Sequence, residues 1–336
     1  MLTLEKENMN YREFGRTGWK VSEMGFGAWA IGGDAWGQTD DSEALAALRK
    51  AIELGVNFID TSDVYGDGHS EELIAQVRKE VGREIYIATK AGRRLNPHVA
   101  GGYNRENLTA FVERSLRNLD TETIDLLQLH CPPSEVYAMP EVFGILDDLM
   151  QQGKLRYYGV SVERVDEALK AITYPNVQSV QIIFNMFRLK PAEEFLAAAA
   201  ERKVGVIVRV PLASGLLTGK FGRDSHFADT DHRKYNRHGE SFDQGETFSG
   251  VDYETGLKAV QALEPLVRQD ETLAQLALRW ILMFPQVSTV IAGSKNPQQA
   301  EANTRATDLP PLDEATMQQV RAVYDKYLKE QIHPRW

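Results

Sequence analysis

The chain has a single cysteine, no apolar run of membrane-spanning length and no excess of positive charge, and each shortage closes off a class of function. Cys131 alone cannot form an internal disulfide, and no Cys/His spacing of the structural-zinc kind occurs. No apolar stretch approaches the roughly 18 to 20 residues that a bilayer-crossing helix needs. The formal net charge of −10 argues against sequence-independent binding to nucleic acid or anionic membrane, which depends on a basic surface. Met1 to Asn10 is polar, with Glu5, Lys6 and Glu7, and matches neither a secretory signal nor a transit peptide. The reading is a cytoplasmic globular protein in which any anionic ligand must be met by a local basic cluster or a helix N-terminus.

What is present is a regular alternation of strand and helix. Apolar runs at 24–29, 56–60, 84–90, 124–130, 155–160, 177–184, 204–208 and 287–292 read as strands. Amphipathic stretches separate them, such as Leu108, Phe111, Val112, Leu116 and Leu119 behind an Asn104 start. Pro140 and Gly153 bracket another helix, and Pro191 begins an alanine-rich one. Eight such units predict an α/β fold, a (β/α)8 TIM barrel, which takes about 250 residues and leaves room for insertions. The expectation is one domain over 1–336, with a core of about 11–304 and a last helix of about 313–329.

Tyr11 to Ser22, with Gly15 and Gly18, suggests a hairpin that plugs one end. Gly25-x-Gly27-x-x-Ala30 would suit a dinucleotide fold only if a helix opened at the glycines, and Ile31 to Gly37 instead continues as loop. The polar, Gly-rich run from Phe221 to Gly250 is too long for an ordinary connection, so it is a functional flap or disordered.

A barrel carries its site at the C-terminal ends of its strands. Those ends supply Asp60 and Tyr65, Lys90, His130, Ser161, Gln181 with Asn185, Arg209, and Gly293-Ser294-Lys295, in strand order two to eight. A phenol has an ordinary pKa of ~10, and a nearby ammonium favours its phenolate, so Lys90 is expected to bring Tyr65 down toward proton-donating range. Asp60 would hold Lys90 protonated against desolvation, and His130 would orient a substrate oxygen that gains negative charge. None of these is a hydride source, so a reduction needs a nicotinamide. Ser161 and Gln181, with Asn185 as the weaker candidate, are of the type that recognises its amide. The Pro297-started segment after strand eight suits an anionic group, and Lys295 would favour a 2′-phosphate.

These residues, together with Ile-Ala-Thr-Lys90, Leu-Gln-Leu-His130, Gly159-Val160-Ser161 and the runs Pro211 to Lys220 and Gly293 to Asn303, resemble the aldo-keto reductase superfamily from about Tyr11 to about Thr304. The resemblance implies an NADPH-dependent barrel that reduces a small carbonyl substrate, with a tetrad of Tyr65, Lys90, Asp60 and His130. It further implies that Gln299 and Asn303 contact the adenine and Lys295 the 2′-phosphate. Val210, Pro211, Leu212, Ala213, Ser214 and Gly215 would hold the pyrophosphate with Lys220, and Gly27, Ala28, Trp29 and Asp60 would also lie against the cofactor.

Two departures stand out. Val162 replaces the usual Asn or Arg after the serine, and Arg209 stands where many members stack an aromatic ring, placing positive charge beside an oxidised nicotinamide. A regulatory NADPH-binding subunit and a Lys90 Schiff-base lyase are the rival readings. His226, His232 and His238 recur at a six-residue interval that suits no metal site. Cys131 reads as a small buried residue, Trp29 and Trp36 as packing or pocket wall, and Arg223 and Arg237 as phosphate contacts on the flap.

Overall fold

The computed structural model describes residues 9–36 and 40–336. A two-stranded hairpin, β1 (Tyr11–Glu13) and β2 (Lys20–Ser22), precedes eight parallel strands: β3 (Met24–Gly27), β4 (Phe58–Asp60), β5 (Tyr86–Ala91), β6 (Ile124–His130), β7 (Leu155–Ser161), β8 (Val177–Ile183), β9 (Gly205–Arg209) and β10 (Thr289–Gly293). They close in sequence order, with β10 pairing back onto β3. The (β/α)8 barrel is therefore as the alternation predicts.

Around the barrel lie α1 (Asp41–Glu53), α2 (His69–Glu80), α3 (Arg105–Asn118), α4 (Pro140–Gln151), α5 (Val165–Ala171) and α6 (Phe195–Glu201). The short α7 (His232–Tyr235), α8 (Tyr253–Leu263), α9 (Leu273–Leu282), α10 (Pro297–Thr304), α11 (Glu314–Tyr327) and α12 (Lys329–Ile332) complete the chain. Several starts have a local cause. Asn104, Thr272 and Asp313 accept backbone N–H groups at the openings of α3, α9 and α11, and Pro140 occupies the first turn of α4. No helix among the described residues is long and apolar enough to cross a membrane.

The hairpin plugs the N-terminal end of the barrel. Phe14, Trp19 and Val21 form one apolar cluster with Phe58, Tyr86, Leu126, Ile207 and Ile291 from the starts and middles of the strands. Trp19 stacks on Tyr86 at 4.4 Å, and Arg12 donates to the carbonyls of Leu282, Phe284 and Val287 where α9 ends.

Most strand ends lie within one or two residues of the sequence reading, and two boundaries differ for a local reason. The first strand stops at Gly27 rather than Trp29, because Ala28–Ile31 coil into a 3-10 turn. Pro191 starts only a single 3-10 turn, Lys190–Ala192, and α6 begins at Phe195 after the non-helical backbone of Glu194. The run from Phe221 to Gly250 folds as turns around α7, with Asp231, His232, Asn236, Glu246, Thr247 and Ser249 buried. It crosses the barrel mouth, where His232 Nδ1 meets the Ala35 carbonyl at 3.0 Å.

Candidate active site

Parallel registry sets the site. Gly293 pairs with Gly27, Gly27 with Asp60, Lys90 with Gln128, His130 with Ser161, and Ser161 with Gln181, so the strand ends lie side by side around one mouth. Beyond Asp60 the chain turns through Tyr65–Gly68, with Gly66 and Gly68 at φ +60° and +102°. At Gly66 only a hydrogen fits, since a β-carbon would run into the Gly32 carbonyl. That close approach fixes the loop from which Tyr65 projects.

Lys90 Nζ donates to Asp60 Oδ2 at 2.6 Å, to the Thr61 carbonyl at 2.8 Å and to Tyr65 Oη at 3.1 Å. Asp60 Oδ1 in turn accepts from Gln181 Nε2 at 2.7 Å and Gln128 Nε2 at 3.1 Å. The buried carboxylate is thus fully answered, which an ion pair inside a barrel requires. Desolvation pulls the Lys90 ammonium down, but Asp60 and then Tyr65 more than offset it, and its pKa ends above the ordinary value.

The expected lowering of Tyr65 is not what the structure gives. Burial raises the phenol above its ordinary value, and the opposing pull of Lys90 does not overcome it. His130 stands across from Tyr65, ring centroids 6.0 Å apart and nearly perpendicular, and its Nδ1 lies 3.1 Å from Ser62 Oγ. Burial, then Arg93, Lys90, Arg209 and His98, hold it well below the usual histidine range, so it is neutral at pH 7.

Tyr65 and His130 open on a cleft of about 650 Å³, walled also by Trp29, Arg93, Phe242 and Glu246. Its floor is a charge cluster that sequence reasoning missed. Arg93 pairs with Glu246 and, at 3.3 Å, with Glu163; Arg209 reaches Glu163 at 2.8 Å and Glu246 at 3.4 Å. Glu163 and Glu246 also share a hydrogen bond. Burial pushes Glu163 up to about 8 despite Arg209, whereas Arg93 and Arg209 draw Glu246 down to about 2 against burial. One carboxyl of the pair keeps its proton at neutral pH. Glu163 directly follows the unusual Val162, and Glu246 lies in the flap; these positions were the only signals available. Cys131 Sγ lies within 4.8 Å of ligand atoms on both glutamates, but each carboxylate already answers a guanidinium.

The remaining predicted residues divide. Gly27 and Gly293 leave room between the ends of β3 and β10, where a β-carbon on Gly27 would sit 3.5 Å from Gly293 N. Asn303 Nδ2 donates to the Gly293 carbonyl at 3.2 Å and Ser294 Oγ at 3.0 Å, Gln299 Oε1 accepts from Lys295 N at 2.9 Å, and Lys295 Nζ meets the Trp36 carbonyl. Burial and then Arg233 lower the Lys295 ammonium, and Asp231 opposes them only in part. Val210, Ala213, Ser214 and Gly215 all take positive φ in a tight turn, with Pro211 buried, Leu212 half-buried and Lys220 exposed. Ser161 and Ala28 are buried beside their strands, and Ser161 Oγ lies 3.4 Å from Cys131 Sγ.

Several expectations need correcting. Asn185 cannot recognise an amide, because its own is spent on Val210, Ser249 and Phe187. Arg209 is not a bare positive charge, since it donates to Glu163 and shares the Glu246 carboxylate with Arg93. Arg223 pairs outward with Glu254, and Arg237 packs on Phe227, Phe248 and Tyr253 rather than reaching for phosphate. Trp29 stacks on Tyr65 and lines the cleft, whereas Trp36 packs on His232.

Residues 23–325 match the Aldo/keto reductase family, and the chain belongs to it, an oxidoreductase on a (β/α)8 barrel. It is similar to the aldo-keto reductase YhdN of Bacillus subtilis, 29% identical over 98% of this chain and 97% of that protein. A probable voltage-gated potassium channel subunit beta of Arabidopsis thaliana is 32% identical over 90% of this chain and 93% of its own length. Among solved structures, the holo form of aldo-keto reductase AKR11C1 from Bacillus halodurans superposes with a TM-score of 0.76 at 27% identity, covering 96% of this chain and 99% of that one.

Proposed function

We propose that the protein, in the cytoplasm, reduces an aldehyde or ketone to an alcohol with NADPH. Lys90 Nζ standing 2.6 Å from Asp60 and 3.1 Å from Tyr65 Oη, at the foot of a cleft shared with His130, is the observation that carries the reading. NADPH, when bound, supplies the hydride. The glycines at Gly27 and Gly293, the amide oxygens of Gln181 and Asn303, and the ammonium of Lys295 suit its neutral, polar and anionic parts, with Ala28, Trp29, Ser161, Arg209, the Val210–Gly215 turn, Lys220, Ser294 and Gln299 completing the groove.

The chain's own work is on the oxygen. His130 donates a hydrogen bond that orients the carbonyl, and Tyr65 gives its phenolic proton as negative charge develops. The Lys90 ammonium stabilises the phenolate left behind, and Asp60, held by two glutamine amides, keeps that ammonium charged. A lysine so charged is a poor amine nucleophile, which disfavours the Schiff-base alternative.

Fluorescence titration with NADPH and NADH, followed by turnover of a panel of small aldehydes beside Tyr65→Phe, tests the proposal. Binding with turnover that disappears in the variant is the expected result. The potassium-channel relative favours a second reading, a cofactor-binding regulatory subunit, for which tight binding with negligible turnover in both proteins would speak.

A further inference from the structure

Asp63 and Ser62 lie in the loop that carries Tyr65, yet the mechanism above gives them nothing to do. Both are fully buried. Asp63 Oδ1 is 3.2 Å from Ser62 Oγ, which is 3.1 Å from His130 Nδ1, while Asp63 Oδ2 has no hydrogen-bond partner. We propose that Asp63 is a positioning residue that, through Ser62, decides which ring nitrogen of His130 carries the proton.

The number of protons along this relay decides the tautomer. Ser62 Oγ already accepts from Val64 N at 3.4 Å, so it has one lone pair and one hydrogen left for its two neighbours. If Asp63 is ionised, the hydroxyl turns to the carboxylate and accepts from Nδ1–H, leaving Nε2 bare. If Asp63 is protonated on Oδ1, the acid donates to Ser62, Ser62 donates to Nδ1, and Nε2 carries the hydrogen. His130 lines the cleft with Nδ1 taken, so Nε2 is the nitrogen a substrate meets. A carbonyl oxygen accepts hydrogen bonds, so only the second state serves reduction; in this the inference rests on the reductase reading.

The surroundings favour the protonated acid. An ionised carboxylate with a buried, unanswered oxygen is poorly solvated, and Glu71 on α2 adds repulsion. Tyr103 also faces it. Arg94, the Ser62 hydroxyl and Arg114 draw Asp63 down, but less than burial and Glu71 raise it, and both guanidinium groups are paired with Asp67. Burial and then Glu71 push Asp63 up to about 7, within the working pH range. Arg93, Lys90, Arg209 and His98 all face His130 and keep it neutral, so the quantity that changes with pH is its tautomer and not its charge.

Long-range proton–nitrogen NMR of protein labelled in histidine, from about pH 5.5 to about pH 9, reads the tautomer with no turnover required. Wild type is expected to hold Nε2–H below pH ~7 and to move toward Nδ1–H above it. Asp63→Asn, isosteric and unable to titrate, and Ser62→Ala, which cuts the link, should each show a tautomer that no longer changes with pH. In wild type alone, carbonyl reduction should then fall ~10-fold along a limb near pH 7, well apart from the raised Tyr65 phenol. A wild-type tautomer that does not follow the Asp63 titration, or one that still switches in Ser62→Ala, overturns the proposal. Absence of turnover in every protein would count against the reductase reading and leave the NMR result standing.

Discussion

The two ends of the barrel are built from the same strands and solve opposite problems. At the plugged end, Phe14, Trp19, Phe58 and Tyr86 bury aromatic rings against one another, a contribution that needs no partner geometry beyond close packing. At the open end, Asp60, Lys90, Arg93, Arg209 and Glu246 are charged groups taken out of water beside the protonated Glu163, each viable only because a counter-charge, carboxyl or amide answers it. Strand β5 belongs to both, with Tyr86 under Trp19 and Lys90 beside Tyr65. Burial stabilises at one end and is spent at the other on holding reactive groups in place.

That contrast can be broken by substitutions that should affect one end only. Tyr65→Phe should lower turnover of a small aldehyde by ~10²- to 10⁴-fold, the usual share of a general acid, while leaving the denaturation midpoint where it was. Trp19→Ala should do the reverse. Chemical denaturation should register a loss of about 3–5 kcal/mol, with kcat of the folded fraction retained. A Trp19 variant that folds well but turns over slowly would mean the ends are not independent.

A smaller effect sharpens the charged end. Glu163 has a folded pKa raised to about 8, so the stability it contributes is complete below its unfolded pKa near 4.5 and is lost as pH rises toward 8. Glu163→Gln should remove about 3.5 kcal/mol of the stability difference between pH 5 and pH 8. Equal slopes in variant and wild type would place the shared proton elsewhere. Smallest is Lys295→Ala, expected to weaken NADPH about 5- to 10-fold relative to NADH, as a partly exposed charge pair would, and read as the ratio of two dissociation constants.

The barrel was legible because its periodicity is written locally: apolar runs, caps such as Asn104, and a proline at a first turn. The Asp60, Tyr65, Lys90 and His130 set was legible because each lies at a strand end, where parallel registry makes neighbours of distant residues. Glu163 and Glu246 were not. They are 83 positions apart by their numbering and meet only because the flap crosses the mouth, a tertiary event with no periodic signature. Nor could spacing show that Arg209 would be held by Glu163 and Glu246, that the Asn185 amide would be taken by Val210, Ser249 and Phe187, or that burial would outweigh Lys90 at the Tyr65 phenol. Those outcomes depend on which oxygen lies near which nitrogen.

Closure of the sheet joins β3 to β10, so the barrel has no complete ring until residues near 293 have been made. A ribosome delivering the chain from its N-terminus exposes two unpaired strand edges for nearly the whole of synthesis, the arrangement most prone to mispairing with other chains. The hairpin and Arg12 emerge before any barrel strand, yet Arg12 finds its acceptors at Leu282, Phe284 and Val287 only after most of the barrel has been made. Residues made before the barrel thus take up their final contacts after most of it, and folding of this protein should be slow, non-local and sensitive to crowding by its own nascent copies.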